Sequence, residues 1–300
     1  MRRLKPFDYF EPPTVSEAIQ ALVEHGSAAY PLAGGTDLLV RRKRGDLSAK
    51  AFVNLKRIAG LDTINQQAEG LRIGALASIS GLEHSAAIRA SHPVLAEASG
   101  TLGSPSIRNL GTIGGNIGRA SPASDIAPAL IVLGGRVIAE GPQGKKEYEV
   151  GQFFRGPGKT VLLPGEVITS FFLAPMEKDS GAAYERLGRR EGMECALVGV
   201  AAMLALSADG NEVRQARIAL AAVGPVPLRA SKAETVLLSG TLNRARLQEA
   251  ARAAADDALP IDDMRASAAY RKEMVCVLTL RALQKALQRI PNASGAVRGN

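Results

Sequence analysis

Apolar residues recur along this chain with helical spacing in some stretches and as short continuous runs in others, and the switches between them mark its elements. Thr14-Val15-Ser16-Glu17 is a capping box; Ala18, Ile19, Ala21, Leu22 and Val23 follow at helical spacing, and Gly26 stands in place to end the helix. Tyr30-Pro31-Leu32-Ala33 reads as a short strand leading into Gly34-Gly35-Thr36-Asp37, after which Leu38, Leu39 and Val40 open a second helix. Residues 51–55 and 71–75 read as buried strands, and Ser91-His92-Pro93 as a helix start with proline in its first turn. Residues 102–128 are rich in Gly, Ser, Pro and Asn and read as a long irregular segment, the kind that compact domains keep for function.

Further on, residues 136–139 and 147–150 pair across Gly141-Pro142-Gln143-Gly144, and 167–173 form another strand. Two long apolar runs, 196–206 and 213–223, flank Asp209-Gly210, a hairpin signal. An alanine-rich helix over 244–258 follows, then a helix over 270–288 with Met274, Val277, Leu278, Leu283 and Leu287 on its apolar stripe and Cys276 in its core pattern. The polar stretch 175–181 divides the chain into domains at 1–176 and 181–289, with a loose tail at 290–300.

Composition narrows the function. With 46% hydrophobic and 22% charged residues in 300, the chain reads as a soluble globular protein rather than a fibrous or disordered one. Its net charge of +8 would suit nucleic acid if concentrated, but the one dense basic run is Arg41-Arg42-Lys43-Arg44, and 4% aromatics with no Trp leave few rings for base stacking, so nucleic acid is not expected as a partner. Met1-Arg2-Arg3-Leu4-Lys5 runs into Pro6 and Asp8 without the apolar stretch of a signal peptide, and no run approaches the roughly 18 apolar residues of a membrane span; a cytoplasmic protein is expected. Two cysteines, Cys195 and Cys276, are too few to ligate an iron–sulfur cluster on this chain.

Two glycine elements carry the candidate chemistry. Gly34-Gly35-Thr36-Asp37 sits at a strand-to-helix turn, where backbone N–H groups and a threonine hydroxyl can converge on an anion; a plain turn is the alternative. Gly111-Thr112-Ile113-Gly114-Gly115-Asn116 repeats that logic with three glycines, a hydroxyl and an amide. Together they could embrace one diphosphate, although neither a dinucleotide-binding fingerprint nor a Walker A loop is present. Asp125 is either the cap of a helix beginning near Ile126 or an acceptor for sugar or ribityl hydroxyls. Arg189-Arg190-Glu191 reads as a solvated charge cluster or a contact to cofactor or partner. His25, His84 and His92 have no metal-ligand spacing, and no acid–base or metal constellation appears, so no catalytic or metal-binding residue is assigned.

These marks, in order, resemble the FAD-binding medium subunits of molybdenum hydroxylases, the xanthine dehydrogenase and carbon monoxide dehydrogenase family. The resemblance spans most of the chain: Phe7-Asp8-Tyr9 with Pro12, Leu32-Ala33-Gly34-Gly35-Thr36-Asp37-Leu38, Ile107-Arg108-Asn109 before Gly111-Thr112-Ile113-Gly114-Gly115-Asn116, Ser121-Pro122 to Asp125, Pro164-Gly165-Glu166, Tyr184-Glu185-Arg186 and Tyr270-Arg271 to Met274. It implies an α+β architecture: a two-part FAD-binding fold of the vanillyl-alcohol-oxidase (PCMH) type, followed by a smaller α+β C-terminal domain. It also implies noncovalent FAD held by Leu32, Ala33, Gly34, Gly35, Thr36, Asp37 and Leu38 and by Thr112, Ile113, Gly114, Gly115 and Asn116, with Asp125 on the cofactor and Leu102 and Ile168 bordering it.

The resemblance further implies a [2Fe–2S] small subunit and a molybdopterin large subunit as partners in a dimer of heterotrimers, with electrons leaving through FAD to NAD or another acceptor such as a quinone. Relatives carry a lysine beside the strand aromatic; here its basic role falls to Arg186. Cys195 occupies a position that is often bulky and faces the flavin ring, where a thiol leaves the ring less covered; a small buried thiol is the other reading. The extra [4Fe–4S] cluster of 4-hydroxybenzoyl-CoA reductases cannot be built from two cysteines. A self-contained flavin oxidase or dehydrogenase is the rival function, and a non-catalytic nucleotide- or nucleic-acid-binding module the next.

Overall fold

The structure, a computed structural model, describes residues 6–190, 192–291 and 293; the basic start at 1–5, Glu191 and most of the expected tail lie outside them. Thr14 opens the first helix as a capping box should: its hydroxyl accepts from the Glu17 amide at 3.2 Å and donates to the Glu17 carboxylate at 2.9 Å. The first lobe runs β1 (Asp8–Phe10), α1 (Val15–His25), β2 (Ala29–Leu32), α2 (Leu38–Arg44) and β3 (Ala51–Asn54). Its three strands pair in parallel in the order β1-β3-β2, because helical crossovers separate them. Ala18 and Leu22 of α1 pack on Ala29, Ala51 and Val53, while Phe52 turns to the other face against Leu32 and Leu47.

The second lobe comprises β4 (Ile64–Gln67), β5 (Gly70–Gly74), α3 (Ile79–His84), α4 (Ala86–Ser91), α5 (Pro93–Thr101), α6 (Pro105–Leu110), α7 (Ile113–Arg119), α8 (Ile126–Val132), β6 (Arg136–Gly141), β7 (Gly144–Glu149), β8 (Phe154–Gly156), β9 (Lys159–Thr160) and β10 (Val167–Leu173). Five of its strands form an antiparallel sheet ordered β4-β5-β10-β6-β7, and β8 pairs with β9 as a separate hairpin. The expectation of an irregular 102–128 is corrected here. That stretch holds α6, α7 and the start of α8, short helices that read as loop because of the proline leading α6 and the glycines of α7, although Ser104 and Thr112 cap the first two through the amides of Ile107 and Gly115.

Beyond the polar stretch come β11 (Ser180–Leu187), β12 (Val198–Leu206), β13 (Val213–Ala221), β14 (Leu228–Arg229), α9 (Ser231–Leu238), α10 (Arg244–Asp257) and α11 (Ala268–Gln288), the strands antiparallel in sequence order. All nine residues of β12 are buried. Ala201 and Met203 face the core of the second lobe, while Val198, Val200, Ala202 and Leu204 join the core under α9, α10 and α11, so this sheet is covered on both faces and reads as an unbroken apolar run. Cys276, expected in the core, is only half-buried on α11.

The open edge of β11 is closed by side chains. Ala182 C=O accepts from Arg289 of α11, Tyr184 N–H donates to Glu97 of α5 at 3.2 Å, and Arg289 pairs with Glu97. Two side chains thus take two of the backbone groups that a further strand would pair with.

Candidate functional site

The two glycine elements, some 80 positions apart in sequence, come together. Gly34 lies flat against Leu110, so close that a Cβ on it would stand 2.0 Å from the Leu110 carbonyl oxygen; a Cβ on Gly115 would stand 3.9 Å from the Ala33 methyl, and one on Gly111 3.7 Å from Thr36 Oγ1. Glycine is what permits this approach of backbone to backbone. Gly35 adopts φ of +74° to make the turn, Leu32 is buried at the end of β2 below it, and Leu38 begins α2 above it. Among the described residues no acceptor takes the amides of Gly35, Thr36 or Asp37, so the turn presents a row of free donors, the feature that binds anions.

The second element is built differently from the first. Thr112 caps α7 by accepting the Gly115 amide at 3.0 Å, Ile113 is fully buried, and the Ile113 and Gly114 amides are taken by the Ala77 and Ala75 carbonyls at 3.1 and 2.8 Å. These residues anchor α7 on the second lobe rather than offering free N–H groups. The exposed face of α7 carries Gly115 and Asn116 instead. Asn116 Oδ1 accepts the Ser124 hydroxyl at 2.6 Å, leaving its Nδ2 donors without a partner among the described residues.

Asp125 stands at the head of α8, but it does not cap it. Ser124 does, accepting the Ala127 amide at 3.1 Å. The Asp125 side chain turns inward, where its Oδ1 accepts Tyr184 Oη at 2.8 Å and Arg186 Nε at 3.1 Å. Both donors go to Oδ1, so Oδ2 of a carboxylate only 7% exposed has no donor among the described residues. Burial pushes this carboxyl above the usual carboxylate range against the pull of Arg186 and Tyr184, and burial together with Asp125 lifts the Tyr184 phenol well above its ordinary value. That oxygen keeps its lone pairs open to a donor from a bound molecule. Tyr184, which donates to Asp125, is missing from the set assigned by sequence; its signal was the Tyr184-Glu185-Arg186 mark, with alternate residues of one strand pointing the same way.

The remaining assigned residues ring this centre. Leu102 ends α5, its carbonyl held by Arg108 Nη1 at 3.1 Å while Arg108 Nε is held by Glu83 at 2.7 Å. Arg186 Nη2 donates to the Glu194 carbonyl at 2.5 Å, and Met193 N–H to the Gly103 carbonyl at 3.2 Å, which brings Met193 against the segment next to Leu102. Ile168 packs from β10 under α7, 3.6 Å from where a Cβ on Gly118 would lie. Cys195 is exposed, not buried, with its thiol against the Arg265 guanidinium. His92 is buried at the start of α5 without capping it through its side chain, its Nε2 2.9 Å from the Ala174 carbonyl. A cavity of about 370 Å³ at that seam, lined by His92, Glu177 and Arg289 among others, contains none of the assigned residues.

The chemistry of the donor set fits FAD: free amides and Asn116 for a diphosphate, the unused carboxylate oxygen of Asp125 for a hydroxyl or ring N–H, and apolar Leu102 and Ile168 beside them. Comparison with known proteins agrees. A family model described as the FAD binding domain in molybdopterin dehydrogenase matches residues 5–175, and one described as the CO dehydrogenase flavoprotein C-terminal domain matches 182–286. The chain is 34% identical to the carbon monoxide dehydrogenase medium chain of Hydrogenophaga pseudoflava, over 94% of this chain and 98% of that one. It is 31% identical to the 6-hydroxypseudooxynicotine dehydrogenase complex subunit alpha of Paenarthrobacter nicotinovorans, over 95% and 97%. The solved carbon monoxide dehydrogenase of H. pseudoflava superposes with a TM-score of 0.92 at 33% identity, over 96% of this chain and 99% of that one.

Proposed function

We propose, from the premise that this chain belongs to the family of FAD-binding medium subunits of molybdenum hydroxylases, that it takes electrons from a [2Fe–2S] partner and delivers them through noncovalent FAD to NAD or another acceptor such as a quinone. FAD is the family's cofactor on this subunit, the molybdopterin and iron–sulfur centres belong to other subunits, and the chain is an oxidoreductase subunit of the expected two-part FAD-binding fold plus a C-terminal domain. When bound, FAD supplies the redox chemistry, accepting electrons one at a time and releasing them in pairs. The chain supplies the setting. Free amides at 35–37 and the Asn116 carboxamide bind the diphosphate, Asp125 Oδ2 accepts from the flavin half, Arg186 and Tyr184 hold Asp125 in place, and Leu102 and Ile168 keep water from one side.

The observation that carries the reading is the meeting of the two glycine elements next to a buried carboxylate with one oxygen unused. The same proposal places the division between domains at 176–181, supported by the spans of the two family matches and by the strandless stretch between β10 and β11. It also carries a cytoplasmic dimer of heterotrimers with small and large subunits. Among the described residues no helix is long and apolar enough to cross a membrane. The test is the absorbance spectrum and metal content of the purified chain, with a pull-down from its host. Stoichiometric FAD without iron, and co-purifying iron–sulfur and molybdopterin chains, is the expected result. A chain that cannot be loaded with FAD overturns it.

A further inference from the structure

Arg119 belongs to neither glycine element, yet the fold delivers it to both. It ends α7, four residues after Gly115, and residues four apart share a helix face. Gly115 faces Ala33, so Arg119 faces the far end of the same groove, where its Nε comes within 2.7 Å of Asp37 Oδ2. Arg41 approaches that same oxygen at 4.0 Å. One carboxylate therefore stands between two guanidiniums, and the mouth of the groove carries an excess of one positive charge.

The Arg119 guanidinium is also underused. Its Nε–H is turned aside from the Asp37 carboxylate and shut away from solvent, with no hydrogen-bond acceptor for it among the described residues. Its Nη1 packs over Gly158, in the turn between β8 and β9, 3.3 Å from where a Cβ would be, while Gly158 N–H donates to the Ala120 carbonyl at 2.9 Å. The hairpin thus limits where the guanidinium can go. A planar cation, fixed from two sides with its Nη donors unspent, beside a row of free backbone amides, is suited to a diphosphate.

We propose that Arg119 is a binding residue for the diphosphate of FAD, docked by Asp37 at the end of the groove between residues 33–37 and α7, and closing that groove by charge as well as by hydrogen bonds. The inference rests on the FAD reading above and deepens it. Asp37 then acts through Arg119: it orients the guanidinium, and the pair keeps an acidic side chain at the mouth from repelling the ligand.

The experiment compares FAD with riboflavin, which lacks the diphosphate. The full-length chain is stripped of flavin, and both ligands are titrated by fluorescence into wild type, Arg119→Gln and Arg119→Lys, with the thermal midpoint of each apo-protein recorded. Arg119→Gln is expected to weaken FAD about 10- to 30-fold and riboflavin less than about twofold, with Arg119→Lys between, and the FAD loss should shrink between low and high salt. Unchanged FAD affinity in Arg119→Gln, or equal losses for the two ligands, overturns the role of Arg119 and leaves FAD binding intact. A wild-type chain that takes up neither flavin overturns both readings.

Discussion

Replacing Gly34 with alanine tests the meeting of the two glycine elements directly. The added methyl would lie 2.0 Å from the Leu110 carbonyl oxygen and 2.8 Å from its carbon, and both are backbone atoms that no rotamer change can move. Real Cβ atoms essentially never come within 3.0 Å of another heavy atom, so the turn and the Leu110–Gly111 backbone must part by about 1 Å. Overpacking of this kind costs about 1–3 kcal/mol, and about 2–4 °C of thermal midpoint goes with each kcal/mol in a domain of this size. Displacing aligned donors by about 1 Å from a ligand also costs on the order of 100-fold in function. Gly34→Ala is therefore expected to lower the midpoint of the apo-protein by a few degrees and to loosen FAD by about 10- to 100-fold. Calorimetry and fluorescence titration read the two effects, with Gly151→Ala as control, since a Cβ there meets only Ile131 at an ordinary 3.9 Å. If Gly34→Ala holds FAD as tightly as Gly151→Ala, the two elements do not jointly form the binding groove.

Other outcomes follow from the buried groups. Arg186→Met strands the Asp125 carboxylate, and breaking a buried pair costs about 3–5 kcal/mol; because Asp125 already titrates high, protonation relieves the loss, so the thermal midpoint should fall more at pH 8 than at pH 5. Tyr184→Phe removes one of two donors to Oδ1 and should lower FAD affinity by about 5- to 20-fold with little change in the apo-protein's fold, as read by titration and circular dichroism. His92 has its pKa depressed by burial, against the pull of the Ala174 carbonyl. Its contribution is fully present above the ordinary value of 6.5 and is lost as the pH falls through the depressed native value. Thermal scans between pH 7.5 and 5 should therefore show a steeper loss in wild type than in His92→Gln.

Much of this was legible in the sequence, for reasons that can be stated residue by residue. The capping box at Thr14, the hairpin at Asp209-Gly210 and the stripe of α11 are local signals, and each produced its element. The helices α6 and α7 were not legible because six or seven residues are too few to show a period, and their glycines and leading proline imitate a loop. Asp125 was readable only as a choice, since its neighbour Ser124 is an equally good cap and the structure gives the cap to Ser124. Cys195 and Cys276 misled for a different reason: a thiol looks apolar in a pattern, yet one lies in a loop and the other at the margin of a helix's buried face. The pairs brought together at the candidate site, Asp37 with Arg119 and Asp125 with Tyr184 and Arg186, join positions tens of residues apart, which no local window can see.

The Glu97–Arg289 pair that closes β11 bears on how this polypeptide can be divided. A fragment carrying residues 181–290 alone would keep Arg289 but lose Glu97, leaving the amide of Tyr184 open to any passing strand. Such fragments are expected to stack edge to edge into insoluble ladders, and their solubility should return when residues 93–101 are supplied on the same chain.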